Sequence, residues 1–161
     1  MSEAARLIDQ FKRSQDGDPW HGSPVTAILE GLTAEQAATM PPNGAHSIWA
    51  LVLHVTGWRN EVVRRATGEP AAEPAAGDWP GIGEPTAARW TAALAALDAT
   101  HANLVGVVLE MSDEDLLKPT NDPRNRPLGT GVSYYELLHG IVQHDAYHAG
   151  QIAILRKVLG L

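Results

Sequence analysis

The chain has 161 residues, no cysteine, and 12 Lys+Arg against 19 Asp+Glu, a formal net charge of −7. That length predicts one domain over residues 1–161, with a core large enough to need no disulfide, and the absence of cysteine excludes thiolate metal sites. An acidic balance without a basic run argues against nucleic acid as a partner, because such binding rests on Lys and Arg neutralising phosphates.

The opening MSEAARLIDQFKRSQD mixes Glu3 and Asp9 with its apolar residues, so neither a signal peptide nor a transit peptide is expected. No apolar run of about 18 residues stands out as a membrane span. The expectation is a soluble, cytoplasmic protein with no membrane partner.

In chain order, Ala4, Leu7, Ile8 and Phe11 have the i, i+3, i+4, i+7 spacing of one helical face, and Asp16-Gly17-Asp18-Pro19 ends that helix. Ser23 as N-cap, with Pro24 at the first helical position, predicts a short helix turning Val25, Ile28 and Leu29 inward and stopping near Gly31. Thr33 and Gln36 have capping-box spacing, starting a turn or two of helix that Pro41-Pro42 break. A second long helix is predicted from Ser47 to about Gly68, where Ile48, Leu51, Val55, Trp58 and Val62 repeat on one face. Residues Pro70 to Pro85 hold four prolines and three glycines, which permit neither helix nor central strand and predict a long crossover.

The third long helix is predicted from Thr86 to about Glu110, with Trp90, Leu94, Leu97, His101, Leu104 and Val108 as its seam. Ser112-Asp113-Glu114-Asp115 is a helix-start signal, but Pro119, Pro123 and Pro127 follow, so only a turn fits. The last helix is predicted from Ser133 to the C-terminus, about 40 Å long. Tyr134, Leu137, Ile141, His144, His148, Ile152, Leu155 and Leu159 form its inward face. With no alternating pattern bounded by hairpin turns, the predicted fold is all-α. It is a four-helix bundle, up-down, with the long crossover between helices two and three.

Of the seven histidines, His144 and His148 are the most informative. Four residues apart, they differ by about 40° on the helix and reach one point from inside the apolar stripe. Burying two adjacent imidazoles is costly, and a divalent metal offsets both the desolvation and the repulsion of the protonated pair. A third ligand is needed. His54, on the inward face one turn before Trp58, is the best candidate; a lone histidine there reads as a core group held by a hydrogen bond, but beside the pair it reads as a ligand. His101 competes from the centre of the third helix, as a ligand, a support for one, or core. His139 lies about 140° from His144 and cannot chelate with it. His21 and His46 fall in helix breaks and read as loop residues.

Two segments resemble a known family. His46-Ser47-Ile48-Trp49, through Leu51 to His54 and on to Gly57-Trp58-Arg59, is similar to the helix-two motif of the DinB-like superfamily. Gln143-His144-Asp145-Ala146-Tyr147-His148-Ala149-Gly150-Gln151-Ile152 resembles that family's H-x-x-x-H-x-G-Q-I signature. The superfamily comprises bacterial four-helix-bundle metal proteins related to the YfiT-type proteins, taken to be hydrolases, and to mycothiol- and bacillithiol-dependent transferases. With helix order and loop positions, the resemblance covers nearly the whole chain. It implies a metal triad of His54, His144 and His148, one divalent ion per chain (nickel, zinc or iron) and a homodimer.

Three neutral imidazoles leave a divalent ion its full charge and at least one open position, the arrangement that activates water or a substrate oxygen or sulfur. Tyr147 and Gln151 are within reach of such a position, Trp58 and Glu61 are further candidates, and Asp145 either orients an imidazole or faces the neighbouring helix. The leading expectation is a metal-dependent hydrolase or a transferase acting with a low-molecular-weight thiol, which must be a cosubstrate in a chain without cysteine. Other expectations are a non-catalytic metal- or ligand-binding stress-response protein and a plain helical interaction module. Substrate choice falls to the Pro70–Pro85 and Lys118–Val132 loops.

Overall fold

The computed structural model describes residues 1–42, 46–127 and 129–161. Among them the regular structure is helical: α1 (Glu3–Gln15), α2 (Val25–Leu29), α3 (Ala34–Ala38), α4 (Ile48–Ala66), α5 (Ala87–Leu109), α6 (Asp113–Leu116) and α7 (Tyr134–Val158). The expected all-α fold is present.

Helix starts follow local side-chain chemistry. Ser2, Ser47 and Thr86 each accept a bond from a first-turn amide of α1, α4 and α5. Full capping boxes open α3 (Thr33 with Gln36), α6 (Ser112 with Asp115) and α7 (Ser133 with Glu136). α2 corrects the expectation by one residue: Pro24, with ψ 164°, is itself the N-cap, and no side chain caps the helix. The turn expected at Ser112 is one turn of helix, α6, with Leu116 buried beneath it.

The four long helices form a ring of neighbours: α4 packs on α5 and α7, and α1 packs on the same two. The apolar core is divided in two. One cluster joins α2 and α3 to Ile48, Trp49, Leu51, Val52 and Val55 of α4, to the first half of α5, and to Ala149 and Ile152 of α7. The other joins α1 to Val62 and Ala66 of α4, Leu104 and Val108 of α5, and Leu137, Leu138 and Ile141 of α7. In sequence, the stretches between the clusters carry the buried polar residues Arg59 on α4 and Asp145 and His148 on α7, and His54 lies one residue before Val55, the last residue of the first cluster on α4. The helices thus hold a polar layer between two apolar ends.

α5 is long and apolar enough by length and composition to cross a membrane, which the sequence reading had not expected of any segment. Its polar groups, however, are tied into the bundle. Gln15 Nε2 of α1 donates to Asp98 Oδ1 at 2.8 Å, and Trp90 Nε1 donates to the Leu32 carbonyl at 2.9 Å.

The crossover after α4 is fastened back onto that helix. Glu61 Oε1 accepts from the Ala72 amide at 2.6 Å, and Arg65 donates to the Ala72 carbonyl at 3.0 Å. A side chain at Gly57 would place its Cβ 3.2 Å from Pro74 Cβ, so glycine lets the crossover lie close against α4.

Candidate metal centre

α4 and α7 pack side by side, and three histidines meet between them. One ring nitrogen each from His54, His144 and His148 falls within 4.8 Å of the others, and His54 Nε2 lies 3.1 Å from His144 Nε2. His54 and His148 are buried, and His144 is partly exposed. Among the described residues no fourth His, Asp or Glu joins the group.

The outer nitrogens determine the tautomers. His54 Nδ1 lies 2.8 Å from the Asp78 carbonyl; a carbonyl only accepts, so Nδ1 carries the proton and Nε2 presents a lone pair. His148 Nδ1 lies 2.7 Å from Gln151 Oε1, which by the same argument leaves its Nε2 bare. His144 has no such partner: its Nδ1 and Asp145 Oδ1 are both buried without a hydrogen bond, 3.9 Å apart. The short Nε2–Nε2 contact requires His144 to donate to His54, so His144 Nδ1 is an acceptor facing a carboxylate. A cation among the ring nitrogens resolves this conflict, because His144 then carries its proton on Nδ1, where it faces the Asp145 carboxylate with a favourable charge contact at 3.9 Å. The donor set fits a divalent metal of the kind imidazole binds, zinc, nickel and iron among them.

Asp145 is itself fixed by a buried ion pair. Arg59 Nε of α4 donates to Asp145 Oδ2 at 2.9 Å, with the two side chains 1% and 2% exposed. Arg59 also donates to the Leu97 carbonyl of α5 at 3.3 Å. The carboxylate therefore faces the neighbouring helix with one oxygen and the His144 imidazole with the other.

Burial is the main cause that lowers the His54 pKa, with the His144 ring adding to it and the Asp78 carbonyl opposing. Burial likewise pushes His148 down to about 4, against the bond to Gln151 and with the two neighbouring rings. In the unfolded chain these rings take up protons near the ordinary value of about 6.5. Between the two values the unfolded state binds more protons, so the stability of the metal-free fold rises with pH and is fully present above the ordinary value. The metal-free protein is expected to melt about 5 °C lower at pH 5 than at pH 7. Because the folded rings resist protonation, zinc affinity is expected to hold down to about pH 5 and to decline as the pH approaches the lowered His148 value of about 4, where protons compete for the same nitrogens. Equal melting temperatures at pH 5 and pH 7 would contradict neutral clustered imidazoles.

The crossover covers one side of the cluster. Trp79 stacks on His54 with ring centroids 3.9 Å apart, and on its other face His46 stacks at 3.4 Å. Trp58 Nε1 donates to Asp78 Oδ1 at 2.7 Å, holding the residue that holds His54. On the open side lies a cavity of about 670 Å³ reached by all three histidines. Tyr147 stands at it, 66% exposed, with its ring edge against His148. Gln151 turns its carbonyl to His148 Nδ1, the ring atom away from the cluster, and Glu61 is buried in its pair with Arg65.

His101 does not join the triad; burial and the Arg59 guanidinium both lower its pKa. His139 lies 3.4 Å from Glu3 and against the Tyr135 ring. Sequence reasoning named Arg59 only within the helix-two motif, without a role, and did not name Asp78. It also read His46 as a plain loop residue, whereas its ring buttresses Trp79. The H-S-I-W segment next to a helix N-cap was the available signal for His46; nothing in the spacing marks Asp78.

No curated protein matches the chain. The family profile described as the DinB superfamily matches residues 21–152, which include all three clustered histidines, the whole of α4 and most of α7. The chain belongs to the DinB superfamily.

Proposed function

We propose that the protein is a metal-dependent enzyme, a hydrolase or a transferase using a low-molecular-weight thiol, with His54, His144 and His148 as ligands of one nickel, zinc or iron ion. The observation that carries this reading is the cluster's position at the edge of an open cavity of about 670 Å³, with no fourth protein ligand among the described residues to close it. A divalent ion there would polarise a substrate carbonyl or favour the ionised form of water or a thiol. The chain's own groups do the rest. Asp78 and Gln151 hold His54 and His148 with Nε2 forward. Asp145, anchored by Arg59, sets a negative charge 3.9 Å from His144 Nδ1 and favours the proton there. Trp79 excludes water from the crossover side, and Tyr147 borders the path of entry. The chain has no cysteine, so in the transferase form the thiol enters as a cosubstrate. The reading includes a cytoplasmic homodimer with no membrane or nucleic-acid partner.

Cobalt-loaded protein titrated with 2-mercaptoethanol, azide and imidazole tests the open position, and a screen of small esters, amides and electrophilic thiol acceptors then tests turnover. The expected result is a change in the visible cobalt spectrum with at least one titrant, followed by turnover of one substrate class. A spectrum that responds without any turnover favours a non-catalytic metal- or ligand-binding stress-response protein; a spectrum indifferent to all three titrants contradicts an open site.

A further inference from the structure

The chain carries a net charge of −7, yet the cavity at the three histidines is lined by Arg65, Arg124 and Arg126 against two carboxylates, Asp78 and Glu136. Both carboxylates have other work. Asp78 Oδ1 accepts from Trp58, and Glu136 Oε2 accepts from the Ser133 amide at 2.9 Å as part of the α7 cap. Arg65 is matched by Glu61 at 3.0 Å. Arg124 spends one nitrogen on the Thr130 carbonyl at 2.7 Å and has no carboxylate within ion-pair distance among the described residues; the Arg126 carbonyl accepts from the Gly129 amide at 3.1 Å, and its guanidinium makes no hydrogen bond or ion pair among them. By contrast, the cavity of about 620 Å³ against α2 and α5 is lined by Asp16, Glu30 and Asp98 with no basic residue.

The arginines stand on a braced loop. Buried Thr130 accepts from the Asn125 amide at 2.9 Å and donates to the Pro123 carbonyl at 2.5 Å. Gly131 has φ +68°, and a Cβ there would lie 2.5 Å from Arg124 Cα, so the returning chain passes directly beneath Arg124. Arg124 feels Glu136 without forming an ion pair with it, and the Arg126 guanidinium has no partner among the described residues; beside a cationic metal site the two concentrate positive potential in one cleft of an acidic protein, and such a cleft draws in anions.

We propose that Arg124 and Arg126 form an oxyanion subsite that takes the carboxylate or phosphate end of a small organic substrate while its reacting group lies at the histidines. The proposal rests on the metal-centre reading above and adds the substrate's charge to it. Apolar lining between the two ends, Val132, Leu137 and Ile141 among it, suits a short hydrocarbon body.

The test is calorimetric titration of the zinc-loaded full chain with butyrate, glutarate and 4-phosphonobutyrate, which share a chain and one carboxylate and differ at the far end. At least one of the two dianions is expected to bind about tenfold tighter than butyrate, and the tighter one names the oxyanion. The advantage is expected to shrink with added salt and to vanish in Arg126→Gln, whose side chain supports no other contact, as in Arg124→Gln/Arg126→Gln. Equal affinities for all three probes, or an advantage that survives both variants, overturns the subsite while leaving the metal centre in place. Zinc measured on the same samples separates the two readings: a chain that retains no zinc removes the metal centre and the subsite with it.

Discussion

Replacing Asp145 with alanine is expected to destabilise the fold by about 3–5 kcal/mol, the usual cost of leaving one member of a buried ion pair without its partner. Arg59 is 1% exposed and has only the Leu97 carbonyl as its other acceptor among the bonds it makes. Alanine would strand a guanidinium charge between two apolar clusters. In a chain of this size the loss corresponds to a melting temperature lowered by about 10 °C. A double variant, Arg59→Met with Asp145→Leu, is expected to recover much of that loss, because replacing both charges with apolar groups removes the desolvation penalty along with the attraction. Thermal melts of the single and double variants check this. A single variant that melts with the wild type would show that Arg59 finds another partner or water, and would remove the pair from the account of the polar layer.

His148→Ala is expected to take bound metal from about one ion per chain to none retained through dialysis, with little change in helical content. His148 is one of three ligand atoms within 4.8 Å, and two imidazoles on different helices have neither the number nor the rigidity to hold the ion against dilution. The fold tolerates the loss because the apolar clusters above and below the histidine layer do not depend on that ring. The same argument holds for His144→Ala. Far-ultraviolet circular dichroism beside metal analysis separates the two effects: metal content equal to wild type would contradict the triad, and loss of helix would make the site part of the folding core.

The parts of this protein that were legible in its sequence are those governed by local periodicity and capping. The helix starts at Ser47, Thr86 and Ser133 are set by side-chain bonds within one turn, and the proline-rich crossover follows from backbone constraint alone. His144 and His148 are four apart on one helix, so their convergence is a property of helical geometry. His54 was legible as an inward residue, but its meeting with the pair depends on the relative height of two helices, which no local pattern sets. The same limit hid the Arg59–Asp145 pair, which spans 86 residues of sequence, and Asp78, whose backbone carbonyl rather than its side-chain type holds His54. Arg124 and Arg126 lay within a loop expected to govern substrate choice, yet only the folded loop brings them to the histidine cavity. At α2 the proline rather than Ser23 occupies the cap, a difference of one position that composition does not resolve.

The measurement that tests the metal centre most directly is elemental analysis of the purified wild-type chain beside a His54→Ala variant. His54 is the only one of the three histidines on α4, so its loss separates a site between helices from a pair on α7 alone. The account predicts about one divalent metal per wild-type chain and none in the variant. A wild-type chain that holds no metal and takes up neither zinc nor nickel, or a variant that binds metal as well as the wild type, would contradict it.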